Sequence, residues 1–275
     1  MDKYKKKVFD TIKKFKLVQK NDKIFIALSG GKDSASTAYM ISEYVKEKNI
    51  DCELYAFYIN LNLPEFNEIE KIIKKQSEVL KIPLIICNIS KYGINMKKLL
   101  KLSRPICSSC GVIKRYLMNK IPKEEGATKV ATGHHADDFI VFFIKNILSK
   151  NFFWISKFTP LISGDKKRVA RIRPLFCVGG EENKKFCDSI DFPYSDKIVC
   201  PYSKFRADKN KWHNTITEIS KWQKDFRRRI TLGISELAEL IPGGEETLKE
   251  CKICGEPTNK EICAFCRIKE AQKNL

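Results

Sequence analysis

A short stretch near the N-terminus combines the residue types that bind phosphate groups. It reads Ser29-Gly30-Gly31-Lys32-Asp33-Ser34, follows the apolar run 24–28 and precedes a predicted helix at about 33–48. Unpaired N–H groups of a helix's first turn, and the positive end of its dipole, attract anions. The glycines allow close backbone approach, and the serines and the lysine add donors. The stretch therefore predicts a phosphate site.

The spacing of this stretch separates it from the Walker loop, which has four residues between its first glycine and Gly-Lys-Ser/Thr. The alternative is a plain Gly-rich turn without a ligand. The strand before the turn and the helix after it favour the phosphate site.

The eleven cysteines fall into groups whose spacing indicates metal or redox chemistry. Cys107 and Cys110 form one Cys-x-x-Cys pair in mid-chain. Two further pairs lie at the C-terminus: Cys251, Cys254, Cys263 and Cys266. This last spacing is typical of a closed, structural Zn²⁺ site. A second iron–sulfur cluster is the alternative for these four thiols.

Composition limits the partners and the compartment. The net charge is +19, from 52 Lys+Arg against 33 Asp+Glu. This excess predicts a polyanionic partner, by default a nucleic acid, although a solvated Lys-rich surface is the alternative. The sequence has neither an apolar run that spans a bilayer nor a signal peptide, so we expect a cytoplasmic protein without a membrane partner.

Strands alternate with helices through the first half of the chain, which predicts an α/β fold with a parallel sheet. The predicted strands are 24–28, 54–60, 83–88, 128–132 and 169–174. Ligands of such sheets bind outside the carboxyl ends of the strands. The phosphate loop, the Cys107/Cys110 pair and the turn 133–138 all fall there.

The whole chain divides into three predicted parts. Residues 1–20 are an amphipathic basic helix, residues 21–242 the catalytic domain and residues 247–275 a Cys₄ zinc module. Residues 207–239 read as helical, with Arg227–Arg229 near the middle. One face of this helix would carry the apolar residues Ile216, Ile219, Trp222, Phe226 and Ile230.

These motifs, in this order, resemble one enzyme family. The loop resembles the PP-loop of ATP pyrophosphatases, which cut ATP between the α and β phosphates and adenylate a substrate. Together with Cys107/Cys110, the segment 132–138 (Thr-Gly-His-His-Ala-Asp-Asp), Cys200-Pro-Tyr and the ending 251–258 (C-x-x-C-G-x-P-T), it resembles the TtcA/TtuA tRNA 2-thiolation enzymes, closest to the TtuA branch. One difference is that TtuA proteins usually begin with a further zinc finger, whereas this sequence starts at the basic helix.

The resemblance implies a fold, a reaction and partners. The fold is a Rossmann-like PP-loop domain (the adenine nucleotide alpha hydrolase type) with a C-terminal zinc ribbon. The reaction is ATP- and Mg²⁺-dependent replacement of oxygen by sulfur at C2 of a tRNA base. The base expected first is uridine 54, with wobble uridine and an anticodon-loop cytidine as alternatives. The sulfur donor is free sulfide or a ubiquitin-like thiocarboxylate carrier, and a homodimer is usual in the family.

The resemblance also assigns roles to residues. A [4Fe-4S] cluster with one open iron would be held by Cys107, Cys110 and Cys200, with Cys177 and Cys187 as rival third ligands. A persulfide mechanism, with a Cys110–Cys200 disulfide in turnover, is the alternative. Lys114 and Asp138 would assist catalysis, and His135 stands where the family usually has Asn. The residues expected at ATP are Ala27, Leu28, Ser29, Gly30, Gly31, Lys32, Asp33, Ser34, Tyr58, Lys114 and Gly133.

Two other classes compete with thiolation. A PP-loop ligase needs the phosphate loop but not the adjacent Cys-x-x-Cys. A non-catalytic zinc-ribbon RNA-binding protein on a decayed ATPase scaffold needs neither. The intact loop 29–34 argues against decay. The basic segments expected on tRNA are the N-terminal lysines, Arg171/Arg173, Arg227–Arg229 and the zinc module.

Overall fold

A six-stranded sheet forms the centre of the chain in the computed structural model, which describes residues 2–197, 200–202, 207–242 and 248–274. The strands of this sheet are β1 (Lys23–Leu28), β2 (Glu53–Asn60), β3 (Leu84–Asn88), β4 (Lys129–Ala131), β5 (Leu161–Ile162) and β6 (Ala170–Ile172). Their order is β3-β2-β1-β4-β6-β5, and only the β5–β6 pair is antiparallel within this sheet. The predicted α/β class with a mostly parallel sheet is confirmed.

Helices cover the sheet and extend beyond it. They are α1 (Asp2–Lys14), α2 (Lys32–Lys48), α3 (Asn67–Leu80), α4 (Met96–Leu99), α5 (Ile106–Glu124), α6 (Ala136–Leu148), α7 (Gly180–Ser189), α8 (Ala207–Trp222), α9 (Phe226–Leu240) and α10 (Ala264–Lys273). Short 3₁₀ helices lie at Pro64–Phe66, Ile89–Tyr92 and Phe152–Lys157. None of the helices in the described ranges is long and apolar enough to cross a bilayer.

Alternation along the strands builds a core on each face of the sheet. In β1, Ile24 and Ile26 belong to the core under α1, α2, α3 and α7, whereas Phe25 belongs to the core under α5 and α10. Such alternation buries both faces, as expected for a mostly parallel sheet. Val8 and Ile12 join the first core, so the predicted apolar stripe of the N-terminal helix is confirmed.

The C-terminal cysteine module packs on the second core. Two short antiparallel strands, β7 (Lys249–Glu250) and β8 (Pro257–Thr258), precede α10. Cys251, Phe265 and Ile268 share one apolar cluster with Ile113 and Leu117 of α5. The module therefore lies against the helix that carries the mid-chain cysteine pair.

One helix predicted from the sequence is two helices in the structure. The expectation of a continuous helix over 207–239 is wrong, because α8 ends at Trp222 and α9 begins at Phe226. Asp225 between them has φ +53°, a left-handed conformation that breaks the helical path and that Asp tolerates better than most residues. Arg227–Arg229 consequently lie at the start of α9, and Trp222 is 74% exposed rather than on the apolar face.

Candidate active site

The phosphate-type loop lies where the sheet reverses its winding. β1 has β2 on one side and β4 on the other, so the turns after β1 and β4 meet at the switch point, where α/β sheets bind ligands. Hydrogen bonds within the loop hold the turn after β1 in place. Ser34 Oγ accepts from the Ser29 N–H at 3.1 Å and donates to the Gly31 carbonyl at 2.9 Å. These bonds leave the first-turn amides of α2 directed toward the switch point.

Two glycines let the loop take this shape. Gly30 has φ +78°, and a Cβ there would lie 2.7 Å from Ile69 Cγ2. Gly133, in the turn after β4, packs directly on the start of α2, since its Cβ would lie 2.8 Å from the Ser34 nitrogen and 2.9 Å from the Asp33 carbonyl carbon. Both are places where only glycine fits without a shift of the chain.

We expect Gly133→Ala to move the phosphate loop. The added methyl group meets backbone rather than a flexible side chain, so the turn after β4 and the N-terminus of α2 must separate. ATP affinity should fall about tenfold or more and unfolding free energy by about 1–3 kcal/mol. Isothermal titration with a non-hydrolysable ATP analogue and urea unfolding measure the two effects. Gly233→Ala, at an exposed position in α9, is the control and should not lower stability, because its Cβ would meet nothing within 4 Å and its φ is not positive.

A polar cluster lines one side of the loop. Lys32 Nζ contacts both carboxylate oxygens of Asp33 at 2.9 Å, and Asn183 donates to the same carboxylate at 2.9 Å. His135 is 3% exposed, with Nε2 3.7 Å from Asp33 Oδ2 and 3.5 Å from Asp138 Oδ2. Acidic oxygens and a lysine at a helix N-terminus can take phosphates together with a divalent cation.

The two aspartates of the turn after β4 make different contacts. Asp137 is a structural anchor: its carboxylate accepts from Arg227 Nε at 2.6 Å and from the Gly180 N–H at 3.0 Å. Asp138 Oδ2 accepts from the His135 N–H at 3.3 Å, as an acidic residue at the third position of a helix often does. Asp138 is buried and does not line the cavity described next, so its catalytic role stays a prediction.

A cavity of about 300 Å³ connects the phosphate loop to the cysteines. Ser29 and Gly31 form one wall, and Cys107, Cys110 and Lys114 of α5 form another. The cavity is completed by Leu61, Phe66, Ile69, Met96, Ile106, Gly111, Ser195, Lys197, Cys200 and Tyr202. The structure thus brings the three predicted cluster thiols and Lys114 to one space beside the loop.

The position of α5 explains the arrangement of its thiols. Because α5 begins at Ile106, both Cys107 and Cys110 lie in its first two turns, at the end of the helix that lines the cavity. Cys107 Sγ lies 3.9 Å from the Tyr202 carbonyl, next to the Cys200 segment. Three thiols on one cavity wall fit a [4Fe-4S] cluster with one open iron.

The rival third ligands lie elsewhere. Cys187 is buried under α2, with Sγ 3.2 Å from Ser36 Oγ and 3.6 Å from the Lys32 carbonyl. Cys177 is buried in the core of α6, α8 and α9, 3.9 Å from Thr231 Oγ1. Burial raises the pKa of both thiols, and neither lines the cavity. Cys200 is therefore the third thiol that the cavity geometry favours.

The C-terminal cysteines form a compact donor set. The four Sγ atoms of Cys251, Cys254, Cys263 and Cys266 lie within 4.8 Å of one another, and Gly255 takes φ +72° in the turn after the second of them. Burial by itself would raise the pKa of the Cys251 thiol, but hydrogen bonds from the N–H groups of Cys263, Ile253 and Cys254 lower this pKa to about 6. Four soft, closely spaced sulfurs fit a tetrahedral metal such as Zn²⁺.

Three residues expected at ATP do not line the cavity. Tyr58 is 3% exposed in the core under α2, and its hydroxyl has no hydrogen-bond partner among the described residues. Burial, followed by the charge of Glu70, raises the pKa of Tyr58 to about 12. Leu28 is buried and Ala27 partly exposed, and neither lines the cavity. Contact of these three residues with ATP stays a prediction.

Two of the arginines expected on tRNA contact the protein instead. Arg173 donates to the Lys157 carbonyl at 2.8 Å and the Thr159 carbonyl at 2.5 Å, and it lies over the Phe139 ring. Burial, with the charge of Arg171 as a lesser cause, lowers the pKa of Arg173 to about 10. Arg227 binds Asp137, as described above, and its side chain fills the space where a Cβ of Gly179 would stand.

Arg173→Met should therefore act on stability and not on RNA binding. The change leaves the carbonyls of Lys157 and Thr159 without their charged donor, so we expect the free energy of unfolding to fall by about 3 kcal/mol. Urea unfolding measures this loss, and tRNA affinity by filter binding should stay within about twofold. A selective loss of tRNA affinity at unchanged stability would contradict the assignment. Arg228→Met, at an exposed position expected to contact tRNA, is the reciprocal control: its stability should be unchanged and its tRNA affinity should fall.

Sequence patterns missed several residues of the site. Met96 and Lys197 line the cavity although neither stands in a motif that defines its role. The segment 132–138 predicts a place for His135 beside the loop but not its contacts with Asp33 and Asp138. The Arg227–Asp137 ion pair joins residues 90 positions apart in the chain. The basic run 227–229 predicts a positively charged surface, but it does not predict that Arg227 pairs with Asp137.

The chain matches a known family over most of its length. Residues 2–196 match the family model described as the PP-loop domain. The tRNA-5-methyluridine(54) 2-sulfurtransferase of Pyrococcus horikoshii is 33% identical over 99% of this chain and 86% of its own length. The enzyme of the same name from Thermotoga maritima is 32% identical over 98% of this chain and 88% of its own length.

A solved structure is similar over the whole chain. The U34-tRNA thiolase NcsA from Methanococcus maripaludis, determined with its [4Fe-4S] cluster, has a TM-score of 0.81 and 28% identity, covering 100% of this chain and 87% of that one. The fold and loop thus define a PP-loop protein. The chain belongs to the PP-loop family, within its group of tRNA 2-sulfurtransferase homologues.

Proposed function

We propose that this chain adenylates a tRNA base with ATP and replaces its C2 oxygen by sulfur at a [4Fe-4S] centre. The observation that carries the proposal is the shared cavity: Ser29 and Gly31 of the phosphate loop face the same space as Cys107, Cys110 and Cys200. An activated base formed at the loop would need no transfer to a second site before it meets sulfur. The names of the similar proteins support the same reaction.

The adenylation half of the reaction uses the loop. The C2 oxygen of the base attacks the α-phosphorus of ATP and pyrophosphate leaves, so that a poor leaving oxygen becomes AMP. Amides of the α2 N-terminus and Lys32 stabilise the negative charge that develops on the phosphates. Asp33, the carboxylate of the loop, would hold Mg²⁺, which would neutralise negative charge on the phosphates.

The thiolation half uses the cysteine wall. Cys107, Cys110 and Cys200 would hold the cluster, whose open iron supplies sulfide as the nucleophile when it is bound. Sulfur bonds to C2 and AMP departs. Lys114 lies one helical turn after Cys110 on the same cavity wall, where its ammonium stabilises charge on the departing AMP. Apolar walls from Leu61, Phe66 and Ile69 exclude water that would otherwise hydrolyse the adenylate.

The substrate proposed is uridine 54 in the T-loop, because the similar enzymes from Pyrococcus and Thermotoga carry that name. Uridine 34, as named for NcsA, and cytidine 32, as named for the sulfurtransferase of Neisseria gonorrhoeae, are the alternatives. A loop nucleotide suits the cavity, since the base must leave its stack to reach it.

The remaining partners follow from the same proposal. The Cys₄ site would hold Zn²⁺ as a structural ion. The sulfur donor is free sulfide or a ubiquitin-like thiocarboxylate carrier, and the chain works as a cytoplasmic homodimer. The exposed basic residues of α1, together with Arg228 and Arg229, would contact the tRNA backbone, so tRNA binding should weaken steeply with salt.

Anaerobic reconstitution tests the proposed function. The protein is purified and loaded with iron and sulfide without oxygen, then assayed for bound iron and for AMP and pyrophosphate release with tRNA. We expect four irons per chain and AMP formation that depends on tRNA. A protein without iron whose Cys107→Ala variant is fully active would be a ligase of the same fold. Absence of AMP with any tRNA would indicate a non-catalytic RNA-binding protein.

A further inference from the structure

Helix α5 connects the cavity to the Cys₄ module. Its first turns carry Cys107 and Cys110 on the cavity wall, and its later turns lie on the module. There the ring of Tyr116 stacks on the ring of Phe265, with centroids 3.8 Å apart and an angle of 2° between the planes. The cavity cysteines and the Cys₄ module thus contact one and the same helix.

Glu256 joins the cysteine knuckle to this helix. Its carbonyl accepts from the Cys251 N–H at 3.0 Å, which closes the turn that carries the first two thiols. Its side chain is 5% exposed and points at α5. Oε1 accepts from Lys123 Nζ at 2.5 Å, and Oε2 accepts from Asn119 Nδ2 at 3.0 Å. Both carboxylate oxygens are therefore committed to α5, while the backbone of the same residue belongs to the knuckle.

A second set of bonds links the module to the opposite cavity wall. Gln272 of α10 accepts from the Asn95 N–H at 2.9 Å, and its carbonyl accepts from Lys98 Nζ at 3.1 Å. Met96, which lies between Asn95 and Lys98 in the chain, lines the cavity. The module is thus bonded to elements on two sides of the space that holds the cysteines.

We propose that the Cys₄ module fixes the position of the cavity cysteines, with Glu256 as the positioning residue that transmits its order to α5. A small cysteine knuckle folds only with its metal bound. Without the metal, the turn of Glu256 is not held, so Lys123 loses its carboxylate partner and Asn119 keeps only its bonds to the Lys167 carbonyl and the Val169 N–H. Helix α5 then lacks the two bonds that tie it to the module. Ligands of a metal cluster must be held within about 0.5 Å to bind it well. The consequence for cluster retention rests on the proposed function, whereas the consequence for α5 does not.

Hydrogen exchange on the full-length protein tests this link. Glu256→Gln keeps the side-chain volume but removes the charge that binds Lys123. We expect amides 107–114 to exchange about 10–100 times faster than in the wild type, as for loss of one charge-assisted hydrogen bond. Chelation of Zn²⁺ from the wild type should reproduce the effect. The control is Glu261→Gln, whose carboxylate forms an exposed ion pair with Lys252 within the module and should leave those amides unchanged.

Cluster retention supplies the second measurement. In reconstituted protein with Zn²⁺ present and an unchanged far-ultraviolet circular dichroism spectrum, Glu256→Gln should lose iron to an Fe²⁺-selective chelator such as bathophenanthroline about tenfold faster than Glu261→Gln. Equal exchange at 107–114 and equal iron loss in the two variants would overturn the proposal. If Glu256→Gln does not fold, zinc chelation from the wild type decides: unchanged exchange at 107–114 refutes the link. A wild type that binds no iron but shows faster exchange on chelation would instead refute the proposed function alone.

Discussion

Cys107→Ser should abolish thiolation while leaving ATP binding intact. The substitution removes one of three thiols on the cavity wall, and a cluster cannot be held with an open iron by the remaining two. We expect the rate of thionucleoside formation to fall by about 10³-fold or more, as for removal of a central catalytic group. Iron content should drop toward zero. Affinity for an ATP analogue should stay within about twofold, because the hydroxyl keeps the shape of the first turn of α5.

The matched control for this change is Cys52→Ala. Cys52 stands just before β2, partly buried against the first core and not lining the cavity, and burial raises the pKa of its thiol. Its removal should leave iron content and rate unchanged. A Cys107→Ser enzyme that retains iron and turnover would contradict the placement of the cluster. A variant that keeps iron but loses turnover would favour the persulfide alternative.

Lys32→Met should block the adenylation step and spare the cluster. Lys32 opens α2, and its ammonium lies beside Asp33 at the N-terminus where the phosphates would sit. Loss of one donor to a developing charge typically costs 10²–10³-fold in rate. We expect AMP and pyrophosphate release to fall by about that factor, with unchanged iron content and visible absorption spectrum.

Lys46→Met is the control for the loop lysine. Lys46 lies in the last turn of the same helix and is exposed, so the variant changes net charge equally without touching the loop. Pyrophosphate release should remain that of the wild type. If both variants lost activity to the same extent, the effect would be long-range charge and not a contact at the phosphates.

Much of the fold was predictable because its signals are local. The loop 29–34 is defined by six consecutive residues, and the strands β1 to β3 by apolar runs within one or two residues of their observed bounds. The Cys₄ set is likewise fixed by two short spacings. The α8–α9 break was not predictable in this way, since Asp225 in a left-handed conformation has no glycine or proline to mark it.

The site was predictable only where a motif names its members. Sequence spacing left Cys177, Cys187 and Cys200 as rivals, and the fold favours Cys200, because it lines the cavity and the other two do not. Charge patterning predicted RNA contacts for Arg173, whereas the folded chain uses its guanidinium to cap two carbonyls. Long-range packing sets these outcomes, and no local pattern encodes it.

Nucleoside analysis after an anaerobic reaction tests the central claim most directly. Unmodified tRNA is incubated with reconstituted protein, ATP, Mg²⁺ and isotopically labelled sulfide, then digested to nucleosides for mass spectrometry, with the modified position mapped on nuclease fragments. We predict labelled 2-thiouridine or its 5-methyl form at position 54, absent with Cys107→Ser or Lys32→Met. Release of AMP and pyrophosphate with tRNA, but without labelled sulfur in any nucleoside, would contradict sulfur transfer.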